Sequence, residues 1–82
     1  MNGNRIAIIG IIIEKSESVE KVNALLHDYS DVIVGRMGVP CKDRGVSIIS
    51  VALDATQDSI NTLAGKLGRI DGVSSKALCV SK

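Results

Sequence analysis

The sequence predicts an α+β fold with four strands and two helices in the order βαββαβ. Three observations predict this fold. The stretch 6–13 is apolar apart from one glycine, which is typical of a buried strand and too short to span a membrane. Apolar residues then recur at helical spacing in two later stretches, 19–29 and 60–67. The stretches 31–39 and 46–54, which lie between these two, are rich in β-branched residues, which favour strands.

The first strand also predicts that both faces of its sheet are covered. A strand with one face in water alternates apolar and polar residues. Here three isoleucines point to each face, Ile6, Ile8 and Ile12 to one and Ile9, Ile11 and Ile13 to the other. Because 82 residues can hardly supply helices for two faces, we expect another subunit to cover the second. The expected assembly is a homodimer or homotetramer that packs through the sheet.

The first half of the chain continues into a helix and a second strand. Ser16 can cap the helix, with Glu17 and Glu20 near its positive end. We expect the helix to end near 27–28. A run of β-branched residues predicts the second strand over 31–39.

The second half repeats this pattern after a turn over 40–45. The stretch 46–54 alternates in a way that predicts the third strand. Thr56 can cap the second helix, and Gly68 is suited to the position just past its end. The last strand is expected over 73–80.

This element order is typical of a ferredoxin-like sandwich. Its antiparallel sheet has the order 4-1-3-2 and carries both helices on one face. We expect a single domain over residues 1–82, with the first and second strands running in one direction and the others in the opposite one. That arrangement gathers 14–16, 36–45 and 69–72 at one end of the sheet.

Composition excludes several classes of partner. The net charge is +1, and Tyr29 is the only aromatic residue, so neither a basic patch nor a stacking surface for nucleic acid is expected. The chain shows no membrane-spanning stretch and no signal peptide, so we expect a cytoplasmic protein. Cys41 and Cys79 do not form a C-x-x-C motif.

The stretch 35–40 is the most unusual, because two glycines flank an arginine within a predicted strand. Arg36 offers a planar fork to a carboxylate or phosphate, and the glycines would let a ligand approach. With other cations expected at the same end, the predicted anion site comprises Lys15, Gly35, Arg36, Gly38 and Arg44. The alternative is a bulged edge strand and a solvated, mixed-charge rim.

The sequence offers few candidate residues for metal binding or catalysis. His27 is the only histidine and a candidate metal ligand. Because a metal usually needs three or four ligands, such a site would also need equivalent residues from other subunits, or Cys79. Cys41 lies near Lys42 and Arg44, which could lower its thiol pKa, but no base accompanies it. We therefore expect no catalytic residues and no enzyme activity, and the sequence indicates no particular cofactor.

Several strings carry a resemblance to a known family. The strings GRMGVP at 35–40 and GKLGR at 65–69 are the most specific, joined by IIGI at 8–11 and RGVSIIS at 44–50. Together they resemble the small ACT-like proteins named iron-only hydrogenase system regulators, over nearly the whole chain. That family is similar to ACT domains and to the C-terminal domain of the nickel-responsive repressor.

The resemblance implies ferredoxin-like subunits that assemble through their sheets. It also implies an amino acid or other small ligand near the first strand-to-helix loop, here 14–16. The nickel site does not carry over, because this chain has His27 alone. We expect a regulatory ACT-like oligomer that senses a small anionic ligand. Two alternatives stay open, a protein-docking assembly factor for metallocofactor maturation and a metal sensor that uses His27.

Overall fold

A computed structural model describes residues 3–80. Its strands are β1 (Asn4–Ile13), β2 (Ile33–Cys41), β3 (Val46–Thr56) and β4 (Val73–Val80). Its helices are α1 (Val19–Asp28), preceded by a 3₁₀ turn at Ser16–Ser18, and α2 (Gln57–Gly68). The predicted βαββαβ order is confirmed.

The four strands form one sheet in the order β2-β3-β1-β4, which is the predicted order 4-1-3-2 written from the other edge. Every neighbouring pair is antiparallel. At the centre, Ile9 of β1 lies opposite Val51 of β3 on one side and Ala77 of β4 on the other. The ferredoxin-like α+β fold is therefore confirmed.

The core lies between one face of the sheet and the two helices. The core is aliphatic. Successive strand residues point to opposite faces of the sheet, and the apolar ones on this face are isoleucine, valine, leucine and alanine. The helices contribute residues at helical spacing. The largest fully buried side chains from β1, α1 and α2 are Ile9, Ile11, Ile13, Val22, Leu26, Ile60, Leu63 and Leu67.

The start of α1 differs from the prediction. The chain makes a 3₁₀ turn through Ser16–Ser18, so α1 begins at Val19 and Ser16 does not cap it. Ser18 occupies the cap position without a capping bond, and its buried hydroxyl donates instead to the carbonyl of Asp71 at 2.6 Å. The prediction for Thr56 is confirmed, since its Oγ1 accepts from the N–H of Ser59 at 3.1 Å.

The start of β2 and the end of α2 also differ from the prediction. β2 begins at Ile33 because the residues before it form turns, and a bulge shifts its register between Ile33 and Gly35. Gly68 belongs to the last turn of α2, and the next residue, Arg69, has a φ of −87°. The predicted role of Gly68 beyond the helix end is therefore wrong. A Cβ on Gly68 would lie 3.4 Å from the Oγ of Ser75, so the glycine borders β4 closely.

Three contacts tie the loop after β1 to the turn before β4. The N–H of Glu14 donates to the carbonyl of Gly72 at 2.7 Å, beside the bond from Ser18 to Asp71. The ammonium of Lys15 bonds the carboxylate of Asp71 at 2.5 Å. Gly72 itself has a φ of +76°, a conformation that glycine adopts without strain.

Gly72→Ala is expected to lower the free energy of unfolding by about 1–2 kcal/mol, the cost of a left-handed conformation for a residue with a Cβ. The added Cβ would also lie 2.6 Å from the Cγ of Lys15, which must move. Urea denaturation measures the loss. The matched control is Gly65→Ala within α2, where a Cβ meets nothing within 4 Å. That change should raise stability by up to about 1 kcal/mol, and equal effects of the two changes would contradict the account.

Candidate functional site

The sheet surface opposite the helices is uncovered, and we call it the bare face. Alternate residues of each strand point to it, and the pairing register places them side by side. Its large apolar side chains are 41% to 68% exposed. They are Ile6, Ile8, Ile12, Met37, Val39, Ile48, Leu78 and Val80.

Few charges interrupt the bare face. Lys76 of β4 lies opposite Gly10, and Asp54 of β3 lies opposite Ile6 near the end of the sheet. Most of the remaining positions carry small or hydroxyl side chains. Exposed apolar patches of this kind are typical of interaction sites.

The bare face has relief, because Gly10 presents no side chain between Ile8 and Ile12. A Cβ on Gly10 would meet nothing within 4 Å. A shallow hollow of about 360 Å³ opens beside it, bordered by Ile12, Ile48 and the start of β4. The surface therefore combines projecting isoleucines with a recess, which is the shape needed for side chains to interdigitate with an opposing surface.

The predicted anion-site residues are distributed over several places in one chain. Gly35 and Gly38 lie opposite Ala52 and Ile49, which point to different faces of the sheet. Arg44 lies in the β2–β3 turn, where its N–H donates to the carbonyl of Cys41 at 3.2 Å.

Arg36 and Lys15 are separated along the sheet. Arg36 lies opposite Val51, level with the centre of β1, on the helix side of edge strand β2. β1 ends at Ile13, four residues beyond its centre, and these four residues correspond to ~13 Å. Lys15 follows this end of the strand. A shared ligand role for the two remains a prediction.

The side chain of Lys15 is engaged by Asp71. The hydrogen bond and the charge of Asp71 raise the pKa of Lys15, and those of Lys15 lower the pKa of Asp71. Both side chains stay largely exposed, so the pair contributes little to stability. Any ligand at Lys15 would compete with this carboxylate.

Asp71→Asn is expected to cost a small amount of stability that depends on pH. Because the pKa of Asp71 is lowered in the folded protein, its contribution is present above the ordinary pKa of 3.8 and disappears as the pH falls through the folded pKa. Thermal unfolding of both proteins at neutral and acid pH measures the effect. The difference in Tm should close in acid, and a difference that widened there would contradict the sign.

A groove separates α1 from β2 on the helix side of the sheet. The Nη2 of Arg36 spans it and donates to the Oδ1 of Asn23 at 2.7 Å. The groove holds about 270 Å³. Its lining consists of Asn23, Leu26, His27, Ser30, Ile33 and Arg36. The sequence pointed to Arg36 and His27 separately and missed Asn23. Asn23 lies one turn before His27, and this spacing was the available signal that Asn23 and His27 share a face of α1.

His27 is exposed in the last turn of α1. Within residues 3–80, no three His, Cys, Asp or Glu side chains come together as a metal-binding group. Cys41 and Cys79 are both free thiols. A metal role for His27 stays a prediction. No helix in the described range is both long and apolar enough to cross a membrane.

Comparison with known proteins gives a family and a similar solved structure. Residues 5–77 match the model of the TM1266-like family, which is described as "Iron-only hydrogenase system regulator, putative". Uncharacterized protein TM1266 from Thermotoga maritima has a similar solved structure, with 35% identity, a TM-score of 0.90, and coverage of 94% of this chain and 98% of that one.

A second solved structure shows the fold alone. It is the C-terminal domain of the MgtC protein from Mycobacterium tuberculosis, with 13% identity and a TM-score of 0.75. The match covers 99% of this chain and 93% of that one. No curated protein matches this chain.

Proposed function

The chain belongs to the TM1266-like family, and from that membership and the bare face we propose a regulatory module that self-associates through its sheet and senses a small ligand. The single observation that carries the proposal is the apolar surface opposite the helices. The description of the family as a regulator supports the regulatory part. The proposed place of action is the cytoplasm, and the proposed role is not enzymatic.

The size of the bare face favours a second copy of this chain as its cover. Four strands of 8 to 11 residues give a projected face of roughly 600 Å², before the relief of the side chains is counted. A standard interface removes about 800 Å² of accessible surface from each partner. The face is therefore of the size that a stable dimer needs.

The pattern of the bare face also favours self-association. A two-fold axis places the same surface on both sides of an interface, so that surface must be complementary to itself. Here Ile8 and Ile12 project beside the recess at Gly10, and each copy supplies both features. Lys76 is the one charge at mid-length of the bare face, and it lies on the edge strand β4, where its ammonium can stay in water while its stem packs.

Ligand sensing would then act by population shift, since a ligand that prefers one assembly stabilises it. The proposed anion-binding residues remain Lys15, Gly35, Arg36, Gly38 and Arg44. Arg36 has the strongest support among them, because its only side-chain partner within residues 3–80 is the neutral amide of Asn23. Lys15 would first have to leave Asp71.

Native mass spectrometry of protein purified without added ligand or metal tests the proposal. We expect a dimer or tetramer. A retained small molecule would identify what the module senses, and a retained metal would favour the sensor that uses His27. A monomer at every concentration would contradict self-association and favour docking to another protein instead.

A further inference from the structure

The groove between α1 and β2 combines a donor-rich wall with an apolar floor. The wall is formed by the guanidinium of Arg36 and the amide of Asn23, joined at 2.7 Å. Leu26, which is 1% exposed, and the partly buried Ile33 form the floor. A small molecule with one polar and one branched apolar end matches this division.

The donors of Arg36 are largely unused. A guanidinium carries five N–H donors in a planar fork. One of its nitrogens donates to Asn23, and in the described part of the chain Arg36 has no other side-chain hydrogen bond and no ion pair. The fork matches a carboxylate or a phosphate. Because Arg36 is the one Lys or Arg among the described residues that line the groove, a singly charged carboxylate is the group that fits it best.

Open space on both sides of Arg36 gives a ligand access. A second hollow of about 180 Å³ shares Asn23 and Arg36 with the groove, and Gly38 is part of its lining. A Cβ on Gly38 would meet nothing within 4 Å. The edge strand therefore leaves the guanidinium approachable.

The lining also discriminates among carboxylates. No Asp or Glu from the described range lines the groove, and Glu20, one turn before Asn23, makes no ion pair with Arg36. An amino acid would bring an ammonium group with no carboxylate to receive it. The preferred ligand is therefore an organic acid that lacks an α-amino group.

We propose that the α1–β2 groove binds a small branched-chain organic carboxylate, with Arg36 and Asn23 on the carboxylate and Leu26 and Ile33 under the aliphatic end. The site deepens the proposed function and rests on it, because it names the class of ligand that the module senses. It is complete within one subunit.

NMR titration with 4-methylpentanoate tests the proposal. Two matched compounds accompany it, leucine, which adds an α-ammonium group, and 4-methyl-1-pentanol, which lacks the charge. We expect saturable binding of 4-methylpentanoate with shifts at Asn23, His27 and Arg36. Both matched compounds should bind at least about tenfold more weakly. Tighter binding of leucine, equal binding of the alcohol, or shifts confined to other residues would overturn the proposal.

Variants separate charge from geometry. Arg36→Gln should weaken binding by about tenfold to a hundredfold, the range for hydrogen bonds to a charged group. Arg36→Lys should fall between, since a lysine supplies the charge without the fork. Arg69→Gln, which removes an exposed cation beyond α2, is the control and should bind like the wild type. Equal binding by Arg36→Gln and the wild type would overturn the assignment.

Sedimentation of the same samples distinguishes this proposal from self-association. Arg36→Gln should keep the assembly of the wild type, because Arg36 does not point to the bare face. A wild-type monomer that binds 4-methylpentanoate would overturn self-association and leave the groove intact. An oligomer that shows no saturable binding would overturn the groove and leave self-association intact.

Discussion

Ile8→Glu is expected to convert the assembly into monomers. Ile8 lies at the middle of the bare face, opposite Ala52 and Leu78, and is 47% exposed in the single chain. If a second copy covers it, the new carboxylate is buried without a partner, which costs several kcal/mol per ion. The dissociation constant should rise by about a thousandfold or more. Sedimentation velocity over a range of concentrations measures the change.

Thr62→Glu is the matched control for Ile8→Glu. It adds the same charge at an exposed position of α2, on the opposite layer of the molecule. The control should sediment like the wild type. Loss of assembly in both variants would point to a general charge effect, and retention in both would show that the bare face is not the interface.

Ile9→Ala is expected to lower the free energy of unfolding by about 2–5 kcal/mol, the range for truncating a fully buried isoleucine. Ile9 is 0% exposed at the centre of β1, between Val51 and Ala77. The truncation leaves a cavity in an aliphatic core that is packed on all sides. Urea denaturation followed by circular dichroism measures this loss. Circular dichroism is the suitable signal because the chain has no tryptophan for fluorescence.

Ile8→Ala is the natural comparison, since it removes the same atoms one residue away on the other face. Its cost should appear as weaker association, so that its unfolding midpoint lies below that of the wild type where both proteins are assembled and meets it at dilutions where both are monomers. Ile9→Ala should lower the midpoint equally at every concentration. Similar behaviour of the two truncations would contradict the division of β1 into a core face and an interface face.

The fold could be predicted because its signals are local. The apolar run of β1 predicts a buried strand, and one face of β1 lies in the core. The predicted cover of its other face by a second subunit stays a prediction. Thr56 caps α2 as predicted, because the capping bond spans only three residues. The period of two along β3 likewise placed Ile49 and Val51 toward the helices.

The candidate site could be predicted only in part, because its contacts join distant parts of the chain. The bond from Ser18 to Asp71 spans 53 residues, and nothing near Ser18 signals it. The bulge at the start of β2 turns Arg36 to the helix side of the edge strand, where it reaches Asn23. A register shift of this kind depends on pairing with β3, so the composition of 35–40 alone does not determine it.

The most direct test of the account is an isotope-filtered NOE experiment on an equimolar mixture of labelled and unlabelled protein, which detects only contacts between chains. We predict intermolecular NOEs from the methyl groups of Ile8, Ile12 and Leu78, and none from the core methyl groups of Leu63 and Ile60. Intermolecular NOEs confined to the helix layer, or none at concentrations where a dimer should form, would contradict the claim that a second copy covers the bare face.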